Sequence, residues 1–279
     1  MFRLHTLDAL DRPELQPYLT MRRQSDHRAQ GIFVAEGEKV VRRLIESRFE
    51  VVSALMPQGW FQDLEPLLAA RPEEIDVFVA DKKVLEDLTG FSMYQGLLAV
   101  GRVPAMPSLG GLLATSAAPR LLAAVDGLSG AENVGALVRN CAAFRVQGLL
   151  VGETCVSPFL RRAVRSSMGT IFQLPVLEPP RLAAALAELR RAGLRTIAAH
   201  PHTDRRSLPQ ADFQGDCCVV FGSEGYGISP EVLAQCDDAV AVPMPPVVDS
   251  LNVASAAAVF LYEAGRQRGW MGGTAKTRG

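Results

Sequence analysis

The 279-residue sequence lacks most of the devices that assign a protein to a class directly. No apolar run approaches the ~18–20 uninterrupted residues of a membrane-spanning helix, so a protein without membrane contact is expected. The opening MFRLHTLDALDRPELQ carries charge early and has no long apolar centre. It does not resemble a secretory signal, and the cytoplasm is the expected compartment. Cysteine is scarce: the five residues Cys141, Cys155, Cys217, Cys218 and Cys236 are odd in number and contain no C-x-x-C pair. A disulfide scaffold or a structural zinc site is therefore not expected, and the thiols read as reduced packing residues. The four histidines show no metal-ligand spacing beyond His200-Pro-His202. The net charge of −1 gives no global support for nucleic-acid binding. A local basic patch would suffice for it. The chain also has no G-x-G-x-x-G, no P-loop and no G-x-S-x-G. These absences count against a Rossmann dinucleotide site, a P-loop enzyme and a serine esterase.

What is present is a soluble-protein composition, 48% hydrophobic and 21% charged, in a chain long enough for one large or two ordinary domains. Strand-like and helix-like segments alternate from the start: GIFVAEG, EKVVRRLIES, EVVSALM, FQDLEPLLAA, IDVFVA, KKVLEDLTG and GLLAVGRV. In the first helix Val40, Val41, Leu44 and Ile45 repeat at helical spacing. Alternation of this kind predicts α/β layers. Val103–Arg120, rich in proline, glycine and small residues, interrupts it. This predicts a domain over 1–102, a linker over 103–119, a second domain over 120–270 and a flexible tail over 271–279. The second domain alternates again, from RLLAAVDG through NVGALVRNCAAF, GLLVG, PRLAAALAELRRAG, RTIAAH, CCVVFG and AVAVPM to the alanine-rich SLNVASAAAVFLYEAGRQRG.

Three loops in that domain carry chemistry. In VDGLSGAENVGALVRN a strand passes through a Gly/Ser turn into a helix bearing Asn133 and Arg139. In VVFGSEGYGISPEVL the glycines allow tight turns and close ligand approach around Glu224. In VPMPPVVDSLNVASAAA a proline-stiffened loop runs into a helix of small residues, with Ser250 and Asn252 at its start. Each loop alone also has a plain reading: a capped helix with a surface arginine, a glycine-rich turn, and a cap supplied by Asp249 or Ser250. Basic residues cluster at Arg22-Arg23, Arg42-Arg43, Arg161-Arg162 with Arg165, Arg190-Arg191 with Arg195, and Arg205-Arg206.

In this order, Asn133-x-Gly135-x-x-x-Arg139-Asn140, Phe221-Gly222-Ser223-Glu224-Gly225-x-Gly227, and Val242-Pro243-Met244 followed by Ser250-Leu251-Asn252-Val253-Ala254 resemble the SpoU (TrmH-like) group of the SPOUT methyltransferases. The resemblance covers about residues 120–268, with VRSSMGTIFQLPV as a further family-like stretch. FVAEGEKVV and QGLLAV resemble, more loosely, the small ribosomal-protein-like RNA-binding domain that often precedes the catalytic one. The resemblance implies an α/β methyltransferase domain with a parallel sheet and a C-terminal trefoil knot, behind that smaller α/β domain. It implies S-adenosylmethionine-dependent methylation of ribose 2′-hydroxyls in RNA by a homodimer assembled through the C-terminal domain. Gly222, Val242, Met244 and Leu251 would hold the adenosine part of the cofactor. Asn133, Arg139, Glu224, Ser250 and Asn252 would form the catalytic group. Arg22, Arg23 and Arg165 are candidate RNA contacts. An RNA-binding first domain favours ribosomal over transfer RNA. Two departures from the family pattern stand out: Pro246 and Arg145 occupy positions where it usually has glycine. The competing expectations are an inactive RNA- or ribosome-binding module of the same fold and an unrelated nucleotide-binding enzyme.

Overall fold

The computed structural model describes residues 1–7, 12–21, 24–90, 96–203 and 206–270. The chain forms two compact units, Met1–Ala105 with Ser157–Gln173, and Met106–Val156 with Leu174–Gly279. The expected tail over 271–279 lies outside the described residues, as do Arg22, Arg23 and Arg205.

The first unit contains β1 (Phe2–Thr6), α1 (Gln16–Leu19), α2 (Gln24–Ala29), β2 (Ile32–Glu36), α3 (Glu38–Ile45), β3 (Val51–Met56), α4 (Gln58–Ala69), β4 (Ile75–Val79), α5 (Lys82–Thr89) and β5 (Leu98–Arg102). Its five-stranded sheet runs β1-β4-β3-β5-β2. β5 pairs antiparallel with both β2 and β3, and the other pairings are parallel. The helical spacing read in α3 holds: Val40, Val41, Leu44 and Ile45 are all buried. β1 goes beyond the sequence reading; it is an edge strand with little burial of its own, held by its register against β4.

The second unit begins with α6 (Leu109–Thr115), β6 (Leu121–Val125), α7 (Ala131–Ala143) and β7 (Gly148–Val151). The chain then contributes α8 (Arg161–Ser166) to the first unit. It completes the second unit with β8 (Val176–Leu177), α9 (Leu182–Arg191), β9 (Arg195–Ala199), β10 (Cys217–Phe221), α10 (Pro230–Leu233), β11 (Asp238–Val240) and α11 (Val253–Gln267). The six-stranded sheet has the order β11-β9-β10-β6-β7-β8 and every pairing in it is parallel. Every residue of Leu121–Val125 and Cys217–Phe221 is buried, as central parallel strands covered on both faces require. All five cysteines are free, and Cys141, Cys217 and Cys218 are buried.

Two boundaries differ from the sequence expectation. The stretch read as a linker holds α6, which Ser108 caps by accepting the Gly111 amide at 3.0 Å. Leu109 and Leu112 of α6 join the core of the second unit. Residues Ser157–Gln173, expected in the second domain, group with the first because Phe159 and Phe172 pack on Phe33 and Phe49 at ring separations of 5.3–6.2 Å. A local sequence pattern cannot show which of two cores claims such a segment. No helix among the described residues is long and apolar enough to cross a membrane.

The register of the second sheet determines where its loops meet. Phe221 pairs with both Val125 and Ala199, and Val240 pairs with Ala199. The carboxyl ends of β6, β10, β9 and β11 are therefore level, and the loops that follow them share one edge. Ligands bind at that edge in open α/β sheets.

Candidate active site

A cleft of about 230 Å³ opens at this edge, lined by residues of the loops after β9, β10 and β11 and by the start of α11. All four residues expected to hold a cofactor, Gly222, Val242, Met244 and Leu251, line it. So do Glu224 and Ser250.

Gly222 is where β10 turns into the glycine-rich loop. A Cβ there would collide with the backbone carbon of Gly227 and the amide nitrogen of Ile228, so only glycine fits. The loop folds back on itself through reciprocal backbone bonds between Ser223 and Gly227, both 3.0 Å. Gly227 takes φ +68°, which glycine tolerates at no steric cost. The hairpin presents Glu224 and leaves Tyr226 98% exposed. Asp126, at the end of β6, accepts the Ser229 amide at 2.7 Å and so ties the far end of this loop to the sheet.

After β11 the expected strand AVAVPM shortens to Asp238–Val240, with Ala241 in a single bridge to Ser207. Pro243, Pro245 and Pro246 have no amide hydrogen with which to continue a ladder. The chain then lines the cleft with Val242, Met244, Ser250 and Leu251, leaves Val247 between them 87% exposed, and enters α11. The cap of α11 is Asn252, rather than Asp249 or Ser250: its Oδ1 accepts the amides of Ala254 at 3.0 Å and Ser255 at 3.4 Å. The small residues of α11 then allow close packing on α7, where Asn140 Nδ2 donates to the Ala254 carbonyl at 2.6 Å.

Asn133 does not cap α7; that position belongs to Gly130. Its side-chain amide donates to Glu224 Oε1, and its Oδ1 accepts from Asn252 Nδ2 at 3.1 Å. Three residues from three separate stretches of the chain thus form one chain of hydrogen bonds, Asn252 to Asn133 to Glu224, and Ser250, close to Asn252 in sequence, lines the cleft with Glu224.

Arg139 stands apart from this group. It is exposed, and its side chain makes no hydrogen bond or ion pair among the described residues. Six residues along α7 separate it from Asn133, which turns its side chain roughly 120° around the helix axis and moves it ~9 Å along it. Arg165 belongs to the first unit and is absent from the cleft lining; its guanidinium donates to Glu36 Oε1 at 2.6 Å. Arg161 ion-pairs with the same carboxylate. Arg165 nevertheless keeps 60% of its side chain exposed.

The cleft also holds residues that no sequence motif marks. His200 and His202 belong to none of the three motifs, yet both line it. Phe260 of α11 closes its floor, edge-on to Phe221 at 5.9 Å and Phe213 at 6.4 Å. A signal for the histidines does exist in the sequence, since residues directly after a parallel strand sit at the ligand edge of the sheet.

Comparison with known proteins decides the family. Residues 120–262 match the SpoU rRNA Methylase family. The chain belongs to this family. An uncharacterized tRNA/rRNA methyltransferase from Mycobacterium tuberculosis is 33% identical over 239 residues, 84% of this chain and 81% of that one. A further tRNA/rRNA methyltransferase, from Synechocystis, is 39% identical over 155 residues, 56% of each chain. Among solved structures, the SpoU methyltransferase AviRb from Streptomyces viridochromogenes superposes with a TM-score of 0.79 at 25% identity, covering 93% of this chain and 99% of that one. This SpoU protein is accordingly an RNA methyltransferase. The set of donors in its cleft fits a nucleoside cofactor, with an apolar floor, backbone groups of a tight glycine turn, and few charged side chains.

Proposed function

We propose that this SpoU protein methylates a ribose 2′-hydroxyl of RNA, and ribosomal RNA in preference to transfer RNA. The observation that carries the reading is the hydrogen-bonded chain of Asn252, Asn133 and Glu224 beside a cleft lined by Gly222, Val242, Met244 and Leu251. A structure named as an RNA 2′-O ribose methyltransferase, 25% identical with a TM-score of 0.73, supports the choice of acceptor.

The cofactor is S-adenosylmethionine, which supplies an electrophilic methyl group on a sulfonium. AviRb has been crystallised with it, in a structure that covers 92% of this chain. Gly222, Val242, Met244 and Leu251 hold the adenosine part. Transfer is an in-line displacement, so the residues of the site must align ribose oxygen, methyl carbon and sulfur and help the hydroxyl lose its proton. Asn133 orients the ribose, Glu224 and Asn252 hold Asn133, and Ser250 shapes the acceptor side. Arg139 carries a guanidinium, which offers hydrogen-bond donors and no acceptor, and is a poor base. It acts as a clamp on the adjacent phosphate, whose oxygen accepts the hydroxyl proton or steers it to water.

The protein works in the cytoplasm as a homodimer assembled through the second unit, with the C-terminal segment threaded as a trefoil knot. Arg139 diverges from Asn133 within one chain, which suits an active site that draws on both subunits. The first unit binds RNA, with Arg22, Arg23 and the exposed part of Arg165 as phosphate contacts.

Tritium transfer from labelled S-adenosylmethionine to bacterial RNA, fractionated into ribosomal and transfer RNA, tests the substrate class. Label confined to the ribosomal fraction is the expected result. Label confined to transfer RNA would reverse the preference. Cofactor binding without label in any RNA lacking prior modification would favour an inactive binding module.

A further inference from the structure

Tyr226 stands at the tip of the glycine-rich hairpin between β10 and α10. It is 98% exposed, more than any other large hydrophobic residue among those described, and it lines the cleft. The ring is open to water, yet the backbone beneath it is held. Ser223 and Gly227 exchange two backbone hydrogen bonds of 3.0 Å, and the Tyr226 amide donates to Ser223 Oγ at 3.2 Å. Glu224, two residues earlier on the same hairpin, is hydrogen-bonded to Asn133. The fold thus carries a flat aromatic surface on a closed hairpin next to the Asn133–Glu224 pair.

The charge of the cleft narrows what this ring can meet. Among the described residues no lysine or arginine lines it, and Glu224 is its one carboxylate. An RNA brought here finds no cation for its phosphates in that lining, and the carboxylate repels them. A nucleobase is different, because its π-face carries no net charge and every base has one. A tyrosine ring offers a matching flat surface and has only two side-chain torsions to fix on binding. Phe221 and Phe260, the phenylalanines of the same cleft, are each 1% exposed and cannot serve. We propose that Tyr226 is a substrate-binding residue whose ring stacks on an unpaired RNA base next to the reacting ribose. This rests on the cleft being the place of methyl transfer, as given above. In a duplex both faces of a base are already stacked, so the ring gains access only where the strand is open and the base can be splayed out. The acceptor nucleotide is therefore expected in a loop, a bulge or a single-stranded end.

The test separates ring from hydroxyl and RNA from cofactor. Methyl transfer to total bacterial RNA is followed against RNA concentration for the full-length protein and for Tyr226→Ala, Tyr226→Phe and Tyr226→Trp. The S-adenosylhomocysteine affinity, thermal midpoint and sedimentation of each are measured alongside. Loss of the ring is expected to raise the KM for RNA by about fivefold or more. Phenylalanine and tryptophan are expected to hold it within about twofold of the parent, since a stack needs the ring and not the hydroxyl. Cofactor-product affinity, midpoint and sedimentation are expected to stay at the parent values, because a side chain this exposed supports no packing. An unchanged KM in Tyr226→Ala, or a rise that phenylalanine does not reverse, would overturn the stack. So would an equal fall in S-adenosylhomocysteine affinity, which would place the ring on the cofactor. A shift to a smaller sedimenting species would mean that a second copy of the chain covers the ring, and would overturn it as well. Absence of transfer by the parent to any RNA would overturn the reading of the cleft, and the stack with it.

Discussion

Asn252 and Asn133 are joined by a side-chain hydrogen bond of 3.1 Å, although 119 residues of chain separate them. The same Asn252 side chain caps α11 through its other end. One residue thus begins a helix and holds Asn133, and the two roles can be separated by substitution. Asn252→Asp keeps the capping oxygen and loses the donor to Asn133. Its thermal stability is expected to stay within about 0.5 kcal/mol of the parent, while kcat falls by on the order of a hundredfold. Asn252→Ala loses both, and is expected to cost about 1 kcal/mol in addition. Denaturation midpoints and methyl-transfer rates measured side by side check this. A fully active alanine variant would remove Asn252 from the site.

Gly222 gives a steric prediction. Backbone atoms of Gly227 and Ile228 already occupy the space an alanine methyl would need, so Gly222→Ala cannot be absorbed by a side-chain rotation. The loop must open instead. The expected outcome is a loss of about 2–4 kcal/mol in stability and of measurable S-adenosylhomocysteine binding, read by chemical denaturation and calorimetry. Gly225, with open space around it, is the control, and its alanine variant is expected to fold normally.

The pH dependence of stability has a clear local source at the join of α9, β9 and β11. Burial raises the Asp237 carboxyl, but hydrogen bonds from the Thr196 amide and hydroxyl, with Arg190 alongside, outweigh it and leave it below the ordinary aspartate value. A carboxyl lowered in the folded state contributes stability above its unfolded pKa, near ~4, and loses it as pH falls through the folded value. Asp237→Asn is therefore expected to be about 1–2 kcal/mol less stable than the parent at pH 7. The gap should close in acid, below the ordinary aspartate range. Urea denaturation at pH 7 and at successively lower pH measures it; a gap that did not narrow would assign the effect to packing.

Much of this site is legible in the sequence because its residues lie in short runs tied to strand ends. Gly222, Glu224, Val242, Met244, Ser250 and Leu251 fall within two such runs, and each lines the cleft. The buried strands Leu121–Val125 and Cys217–Phe221 are equally plain as continuous apolar stretches. What local pattern cannot supply is tertiary choice. Helical spacing identifies α7 but does not say that Asn133 reaches Glu224 while Arg139 turns away. Arg165 reads as a candidate RNA contact, yet Glu36, distant in sequence, takes hold of it and of Arg161. His200 follows a strand without any motif around it, and only the fold shows that it lines the cleft.

RNA affinity should depend on the first unit through charge. Replacing Arg22 and Arg23 together by alanine is expected to weaken RNA binding and to flatten its dependence on salt by about two in the slope of log K against log salt if both contact phosphates. S-adenosylhomocysteine affinity should not change. Filter binding across a salt series tests it, and an unaltered slope would remove the pair from the interface.

The central claim is that methyl transfer goes to a ribose 2′-hydroxyl at this cleft. A ribose methylated there has no 2′-oxygen free to attack its own 3′-phosphodiester, so the linkage survives alkali. The most direct measurement is alkaline hydrolysis of RNA labelled by the parent protein and by Arg139→Ala. The expected result is tritium in alkali-stable dinucleotides from the parent, and almost none from the variant despite retained cofactor binding. Label recovered wholly in mononucleotides would mean methylation of a base, and a variant as active as the parent would mean that Arg139 takes no part in the reaction.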